Sequence, residues 1–244
     1  MFRAHTGAGS NLSEQLDYML LRRLGAALRT GKCQRAALCR PLSDISVMQY
    51  QGHVHTVSLL IKHFRGDPAQ ARVLDVACGT GLVAKQMSLL GFRHFVGVDA
   101  SEGMLREAEL TQLYEDLHLR TLGQQPLSVG EEEFDVVTVV AGLYPGFIPV
   151  SAVREFWDAT KPGGLLCFCR GTYLLPEYVS YDSQLEKELR SLEAGGLSTR
   201  EAEENIPQYI LNSQRKDQDP ENPDFIPGTV CVFRKSAKKG TTIM

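Results

Sequence analysis

A pair of glycines at the end of an apolar run is the first feature of this sequence that could hold a ligand. Residues 73–81, VLDVACGTG, are typical of a buried strand followed by a tight turn. Apolar residues resume at Leu82, so a helix would begin directly after the turn with its first amides facing an anion. The stretch therefore predicts a small-molecule site built from a strand, a glycine turn and a helix.

Several ligands compete for such a turn. A nucleoside triphosphate site needs Gly-x-x-x-x-Gly-Lys-Ser/Thr, which does not occur in this sequence. A dinucleotide site needs Gly-x-Gly-x-x-Gly/Ala with an acid about 20 residues further on. Gly79, Gly81, Ala84 and Asp99 satisfy that pattern. The glycine spacing alone therefore leaves the ligand open.

The position of Asp75 favours a ligand without phosphate. A carboxylate at the end of the strand would share the crevice with the turn, where it would repel a pyrophosphate and attract a cation. S-adenosylmethionine offers an ammonium and a sulfonium, and it has no phosphate. The small residues of the turn would let the backbone approach its methionine part. Asp99, at the tip of the second strand, would accept hydrogen bonds from both ribose hydroxyls.

Four motifs in this order resemble the class I S-adenosylmethionine-dependent methyltransferases. They are D-x-A-C-G-T-G at 75–81, G-V-D-A-S-x-G-M-L at 97–105, F-D-V-V at 134–137 and K-P-G-G-L at 161–165. The resemblance implies an α/β, Rossmann-like fold with a seven-stranded, mostly parallel sheet that ends in a C-terminal antiparallel hairpin. It also implies S-adenosyl-L-methionine as the cofactor and methyl transfer to a small-molecule or protein acceptor. We expect the protein to be a monomer.

The resemblance also implies which residues bind the cofactor. Asp75 would order the ammonium end, directly or through water, and Asp99 would bind the ribose. The third strand of the family usually ends in an acid that binds adenine; here that position falls on Thr121, a weaker acceptor. The remaining expected cofactor-binding residues are Ala77, Cys78, Gly79, Gly81, Ala100, Met104, Leu122, Val140 and Ala141.

Methyl transfer depends mainly on alignment, and positioning of this kind can supply about 7–11 kcal/mol in favourable models. A general base is needed where the nucleophile is protonated at neutral pH. Tyr144, in the loop after the fourth strand, is our candidate catalytic residue, and simple loop packing is the alternative. His53 and His55 are two positions apart, so they fall on different helix faces. We therefore expect solvated histidines there and no metal site.

The elements that must position these residues follow a regular alternation. Strands are predicted at 72–76, 95–98, 117–122, 134–140 and 165–169, with helices at 82–90, 102–114 and 151–160. This order predicts βαβ units and a parallel sheet that is covered on both faces. Beyond residue 171 the sequence predicts a helix at 183–194 and strands at 208–212 and 228–234. The last two would form a hairpin at one sheet edge.

Composition narrows the function classes. The 26 Lys and Arg against 29 Asp and Glu give a net charge of −3, so a nucleic-acid substrate is unsupported. No apolar run approaches the roughly 18 residues of a membrane span. The six cysteines, without a secretory signal, indicate reduced thiols. Cys167 and Cys169 would lie buried on one face of a strand. These features predict a soluble cytoplasmic or nuclear protein.

The two ends of the chain differ from the rest. Residues 1–42 contain seven Lys or Arg against two acids, with an amphipathic helix predicted at 13–28. We expect a divergent or disordered basic extension, and a mitochondrial presequence is the alternative. The family's usual lid segment is matched here only by Asp44, so we expect weakened cofactor binding. Residues 43–236 would form the methyltransferase domain and 237–244 a flexible tail.

The sequence leaves other functions open. A catalytically silent module that binds S-adenosylmethionine and acts through protein partners is the alternative to an enzyme, since neither a lid nor a base is evident. An NAD-linked oxidoreductase is disfavoured by Asp75 and by the C-terminal hairpin. No recognition motif identifies the methyl acceptor.

Overall fold

A seven-stranded sheet forms the centre of the molecule in the computed structural model, which describes residues 49–212 and 223–237. Strand order across the sheet is β3-β2-β1-β4-β5-β7-β6. The strands are β1 (Arg72–Val76), β2 (His94–Asp99), β3 (Tyr114–Leu119), β4 (Phe134–Val140), β5 (Thr160–Gly171), β6 (Ser198–Leu211) and β7 (Phe225–Lys235).

The first five strands are parallel and the last two form an antiparallel hairpin. β1 lies between β2 and β4, with Asp75 opposite Gly97 on one side and Thr138 on the other. β7 runs antiparallel to β5, and β6 pairs with β7 at the sheet edge. The expected fold class, a Rossmann-like mostly parallel sheet with a C-terminal hairpin, is confirmed.

Helices cover both faces of the sheet. They are α1 (Gly52–His63), α2 (Leu82–Ser88), α3 (Glu102–Glu109), α4 (Val153–Ala159), which follows a 3₁₀ turn at Val150–Ala152, and α5 (Pro176–Ala194). Leu60 of α1 and Met87 of α2 pack with Val73 on one face. Phe156 of α4 and Leu189 of α5 pack with Leu74 on the other. Adjacent residues of β1 thus enter opposite cores, as the two-residue period of a strand requires.

The cysteines Cys167 and Cys169 of β5 are fully buried in the same core as Val73. Their predicted burial on one face of a strand is therefore confirmed. Burial raises the pKa of the Cys169 thiol to about 12 and raises that of Cys167 further, so both thiols stay protonated.

The third strand begins earlier than predicted. The helix expected at 102–114 ends at Glu109, and Gln112 adopts a left-handed conformation with φ 57°. This turn releases Tyr114 into β3, where its ring packs edge-on against Phe95 with centroids 6.1 Å apart. Thr121 and Leu122 consequently lie in the loop after β3 and not at its tip.

The C-terminal elements are longer than predicted. α5 begins at Pro176, which suits the first turn of a helix because proline has no amide hydrogen to donate there. β6 begins at Ser198 and not at residue 208, and it tolerates Pro207 because it lies at the sheet edge.

Several predictions fall on residues outside the described ranges. They include the helix at 13–28, the character of 1–42, the lid position at Asp44 and nearly all of the 237–244 tail. Residues 213–222, which lie between the two strands of the predicted hairpin, are likewise not described. Across residues 49–212 and 223–237, no helix is both long enough and apolar enough to span a membrane. Those same ranges contain no cluster of His, Cys, Asp and Glu arranged to hold a metal ion.

Candidate functional site

A cavity of about 510 Å³ opens at the carboxyl ends of the parallel strands, within the range of about 300–1,000 Å³ that small-molecule sites occupy. Its wall is formed by the glycine turn after β1, the loops after β2, β3 and β4, and the residues that begin α1. Open α/β sheets bind ligands at this edge, where the strand order reverses next to β1.

The glycine turn has the backbone geometry that its sequence predicted. Gly79 and Gly81 have φ values of 55° and 82°, in the left-handed region that glycine adopts without strain. A Cβ atom on Gly79 would meet no atom within 4 Å, so the backbone there faces the open cavity. α2 starts directly after Gly81, with the Lys85 amide donating to the Gly81 carbonyl at 2.9 Å.

Asp99 connects the second strand to the glycine turn. One carboxylate oxygen accepts from the Gly79 amide at 2.9 Å and the other accepts from the Ser101 amide at 2.8 Å. Burial raises the pKa of Asp99, and the backbone donors oppose that shift. A carboxylate has about four acceptor positions, so two remain after these amides are counted. Asp99 lines the cavity and can therefore accept from two ligand hydroxyls.

Asp75 lies behind the cavity wall and not on it. Its carboxylate is 1 % exposed and accepts hydrogen bonds from the Tyr114 hydroxyl at 2.8 Å and the Thr138 hydroxyl at 2.9 Å. Burial raises the pKa of Asp75 to about 6 in spite of these two donors. A contact between Asp75 and a ligand ammonium group, directly or through water, stays a prediction; both donors hold the carboxylate within the sheet. Its charge remains close beneath the turn.

The wall on the β2 and β3 side is formed by Ala100, Met104, Thr121 and Leu122, which the sequence predicted to bind the cofactor. The loop after β3 stays beside β2 because the Arg120 amide donates to the Asp99 carbonyl at 2.9 Å. The loop adds residues that the sequence analysis did not assign to the site. They are Arg120, Gly123 and Gln124.

The end of β4 forms the floor of the cavity at Val140, Ala141 and Gly142. The Ala141 amide donates to the Cys169 carbonyl at 2.8 Å, which fixes the floor to the neighbouring strand β5. A Cβ atom on Gly142 would lie 2.8 Å from Cβ of Ala77, so the floor and the first turn touch closely. Ala77 and Ala141 have φ values of 55° and 59°. Left-handed residues other than glycine store strain and cluster at ligand sites.

Tyr144 is buried beneath the loop after β4 and does not line the cavity. Its hydroxyl accepts from the Gly171 amide at 2.6 Å and lies 3.2 Å from the Tyr209 hydroxyl. The Tyr144 ring also makes an edge contact with Tyr173, with centroids 5.6 Å apart. A catalytic role for Tyr144 stays a prediction, and these contacts favour a role in holding the loop.

Two aromatic residues at the start of α1 complete the wall. Tyr50 and His53 stack with ring centroids 5.6 Å apart, and both line the cavity. The expectation of a solvated His53 is wrong, since this face of α1 covers the site and burial lowers the pKa of the imidazole. His55 does not line the cavity. Tyr50 precedes α1, so helical spacing gave no signal for this pair.

The residues present fit S-adenosylmethionine. The buried oxygens of Tyr50 and Thr80 and Nδ1 of His53 have no hydrogen-bond partner in the described parts of the chain. All three residues line the cavity, but these three atoms have almost no accessible surface and therefore lie behind its wall. Of the described lining residues, Arg120 is the one Lys or Arg, and it lies beyond β3. The glycine turn thus offers no side-chain cation to a pyrophosphate.

Comparison with known proteins agrees with this geometry. Residues 73–164 match a family described as methyltransferase domain. The chain is 41% identical over 154 residues to human Methyltransferase-like protein 27, covering 63% of this chain and 62% of that protein. It is 32% identical over 132 residues to a ubiquinone biosynthesis O-methyltransferase of Pseudomonas putida W619, covering 53% of each. The chain thus spans about half to three fifths of these relatives' lengths.

Solved structures share the fold at low sequence identity. An S-adenosylmethionine-dependent methyltransferase from Mesorhizobium loti superposes with a TM-score of 0.53 and 17% identity, over 75% of this chain and 100% of that one. The [4+2]-cyclase SpnF superposes with a TM-score of 0.55 and 16% identity, over 92% and 97% of the two chains. The fold alone therefore does not fix the reaction. Residues 73–164 are therefore similar to the methyltransferase domain family, and the described residues adopt a Rossmann-like fold.

Proposed function

We propose that this protein is an S-adenosylmethionine-dependent methyltransferase. The observation that carries the proposal is the glycine turn bound to Asp99, in a cavity where none of the described residues on the turn side is a lysine or arginine. This arrangement suits a nucleoside that has ribose hydroxyls and no phosphate. When bound, S-adenosylmethionine supplies a methyl group on a sulfonium, which is an electrophile.

Each wall of the cavity has a part in holding this ligand. Asp99 would accept from the ribose hydroxyls with its two remaining acceptor positions. The amides of the turn would face the methionine carboxylate. Met104 and Leu122 would pack on the adenine.

Catalysis in this site would come mainly from alignment. Val140, Ala141 and Gly142 form a floor that the hydrogen bond to β5 holds rigid. A methyl group held over this floor would face the start of α1, where Tyr50 and His53 enclose the remaining space. The oxygen acceptors implied by the name of the Pseudomonas relative favour the same kind of acceptor here. The acceptor within this proposal is a small molecule or a protein side chain.

Calorimetric titration tests the cofactor. We expect the purified chain to bind S-adenosylmethionine and S-adenosylhomocysteine and not NAD. The variant Asp99→Ala should weaken both sulfur ligands by at least about tenfold, because each hydrogen bond to a charged group contributes about 1.5–3 kcal/mol. Glu102→Ala is the matched control, since Glu102 is an exposed acid three residues away that does not line the cavity. NAD binding, or equal effects of the two variants, would contradict the proposal.

Turnover separates an enzyme from a silent binding module. Incubation with methyl-labelled S-adenosylmethionine and a cell extract should release S-adenosylhomocysteine and label an acceptor. Tight binding of the cofactor with no labelled product would favour the binding module.

A further inference from the structure

We propose that Tyr114 is a positioning residue of the cofactor site, which orients the Asp75 carboxylate beneath the glycine turn toward the ammonium group of the ligand. Tyr114 belongs to β3 and Asp75 to β1, with β2 between them in the sheet. Neither residue is among the described residues that line the cavity. The inference rests on the proposed function and assigns a residue that acts on the ligand through another side chain.

Tyr114 reaches Asp75 because the strand between them carries a glycine. The Tyr114 hydroxyl donates to one carboxylate oxygen of Asp75 at 2.8 Å. Gly97 of β2 lies opposite Asp75, and a Cβ atom there would lie 2.9 Å from the Tyr114 ring. Such a contact is closer than real Cβ atoms allow, so a larger residue at 97 would displace the ring. The first glycine of the motif at 97–105 thus gives Tyr114 a path across β2 to β1.

The same ring supports the glycine turn. A Cβ atom on Gly81 would lie 3.1 Å from Cε2 of Tyr114, so the turn and the ring are in close contact. The ring also packs edge-on against Phe95 of β2. Tyr114 therefore touches both the turn that would hold the methionine carboxylate and the Asp75 group that would attract the ammonium. Replacement of Tyr114 by phenylalanine keeps the ring contacts and removes only the hydrogen bond.

Two hydroxyls hold the Asp75 carboxylate from the two sides of β1. Thr138 of β4 is fully buried and donates to the second carboxylate oxygen at 2.9 Å. Burial raises the pKa of Asp75 to about 6, and the hydroxyls of Tyr114 and Thr138 oppose that rise because a hydrogen bond to the charged form favours it. Each donor therefore helps to keep Asp75 ionised at neutral pH, as attraction of an ammonium group requires.

The other groups that interact with the charge of Asp75 leave it as the main titrating group beneath the turn. Asp99 of β2 is a like charge that raises the pKa of Asp75 further. Cys78 of the turn, Tyr114 of β3 and Tyr50 before α1 also interact with Asp75, and burial raises the pKa of each. These three groups therefore stay neutral between about pH 5 and 8.

Paired calorimetric titrations with two ligands test the assignment. S-adenosylhomocysteine has the ammonium group, and methylthioadenosine lacks the whole amino-acid part, while both keep the adenosine and a neutral thioether. Contacts of Asp99 with the ribose therefore cancel in the ratio of the two dissociation constants. His53 lines the cavity too, but burial lowers its pKa and it is the same in every variant, so it does not move the pH dependence from one variant to the next.

The parent chain should lose its preference for S-adenosylhomocysteine as Asp75 is protonated. Unit charges about 10 Å apart at an effective dielectric of about 20 change an affinity roughly tenfold. We therefore expect the preference to fall roughly tenfold as pH drops from about 8 to about 4.5, with the fall centred at about pH 6.

Removal of one donor should move this pH dependence without abolishing it. In Tyr114→Phe the centre should rise by at least about one pH unit, because a hydrogen bond to a charged group contributes more than the energy of one such unit. The affinity for methylthioadenosine should stay unchanged, which also shows that the variant is folded. Thr138→Val should shift the centre in the same direction, since Thr138 is the second donor. Asp75→Asn should abolish the fall, and addition of Tyr114→Phe to it should change the ratio no further.

Tyr181→Phe is the matched control, because the Tyr181 hydroxyl is also buried and donates to the Ile148 carbonyl at 2.6 Å, in the core beneath α5. It should leave the ratio and its pH dependence as in the parent chain. Equal weakening of both ligands in Tyr114→Phe with an unmoved pH dependence would show a merely structural role and overturn the inference. A further change on adding Tyr114→Phe to Asp75→Asn would overturn it as well. Failure of the parent chain to bind S-adenosylhomocysteine would instead refute the proposed function.

Discussion

Replacement of Asp75 by asparagine is expected to stabilise the fold at neutral pH. The Asp75 carboxylate is buried at the end of β1 and accepts hydrogen bonds from the hydroxyls of Tyr114 and Thr138. Two neutral donors do not compensate fully for loss of hydration, so burial raises the pKa of this group from 3.8 to about 6. Asparagine has the same shape and stays neutral at every pH, and its amide can satisfy both hydroxyls.

The sign and size follow from linkage between protonation and folding. Because the folded pKa is higher than the unfolded value, the folded chain binds the proton more tightly. The contribution of Asp75 to stability is therefore fully present below pH 3.8 and is lost as pH rises through about 6. A shift of about two pKa units corresponds to about 3 kcal/mol, of which roughly 2 kcal/mol is lost between about pH 4.5 and 7.5.

Urea unfolding of the parent chain and of Asp75→Asn at a series of pH values measures this effect. The free energy of unfolding of the variant, minus that of the parent, should grow by roughly 2 kcal/mol from about pH 4.5 to 7.5. Asp158→Asn is the control, because Asp158 is exposed and its variant should run parallel to the parent chain. Parallel curves for Asp75→Asn would refute the reasoning that burial dominates over the two donors.

Two further substitutions test how the loop after β4 is held. Tyr144→Phe should lower the free energy of unfolding by about 1–3 kcal/mol, because the buried Gly171 amide loses its acceptor. In the same variant the affinity for S-adenosylhomocysteine should stay unchanged. A loss of affinity would indicate that Tyr144 contributes to the binding site. Gly142→Ala should cost about 1–3 kcal/mol and weaken that ligand, since its Cβ would lie 2.8 Å from Cβ of Ala77. Gly163→Ala is the matched control, because Gly163 has φ +80° and an added Cβ atom would meet no atom within 4 Å. This variant should lose only about 1–2 kcal/mol of stability through left-handed backbone strain, and its ligand affinity should stay unchanged.

Central strands were the most predictable part of the fold. β1 and β4 begin and end at the predicted residues, because strands buried on both faces are continuous apolar runs that end where a turn begins. β6 was largely missed because an edge strand exposes alternate residues and tolerates polar ones. Its first eight residues contain three acids and one amide, so its composition resembles a loop.

The candidate site was predictable where a sequence motif determines both the backbone turn and the residue that faces the ligand. Gly79, Gly81 and Asp99 occupy the predicted turn and strand tip. Asp75 could have been placed correctly from the strand period, since it shares a face with the buried Val73 and not with the crevice. The place of His53 in the site could not be predicted, because helical periodicity shows which residues share a face and not whether that face covers a core or a cavity.

A crystal structure of the chain with S-adenosylhomocysteine tests the central claim most directly. The account predicts the ribose hydroxyls on Asp99, the adenine beside Met104 and Leu122, and the sulfur over Ala141 toward His53. A nucleoside bound outside this cavity, or an Asp99 carboxylate with no contact to the ribose, would contradict it.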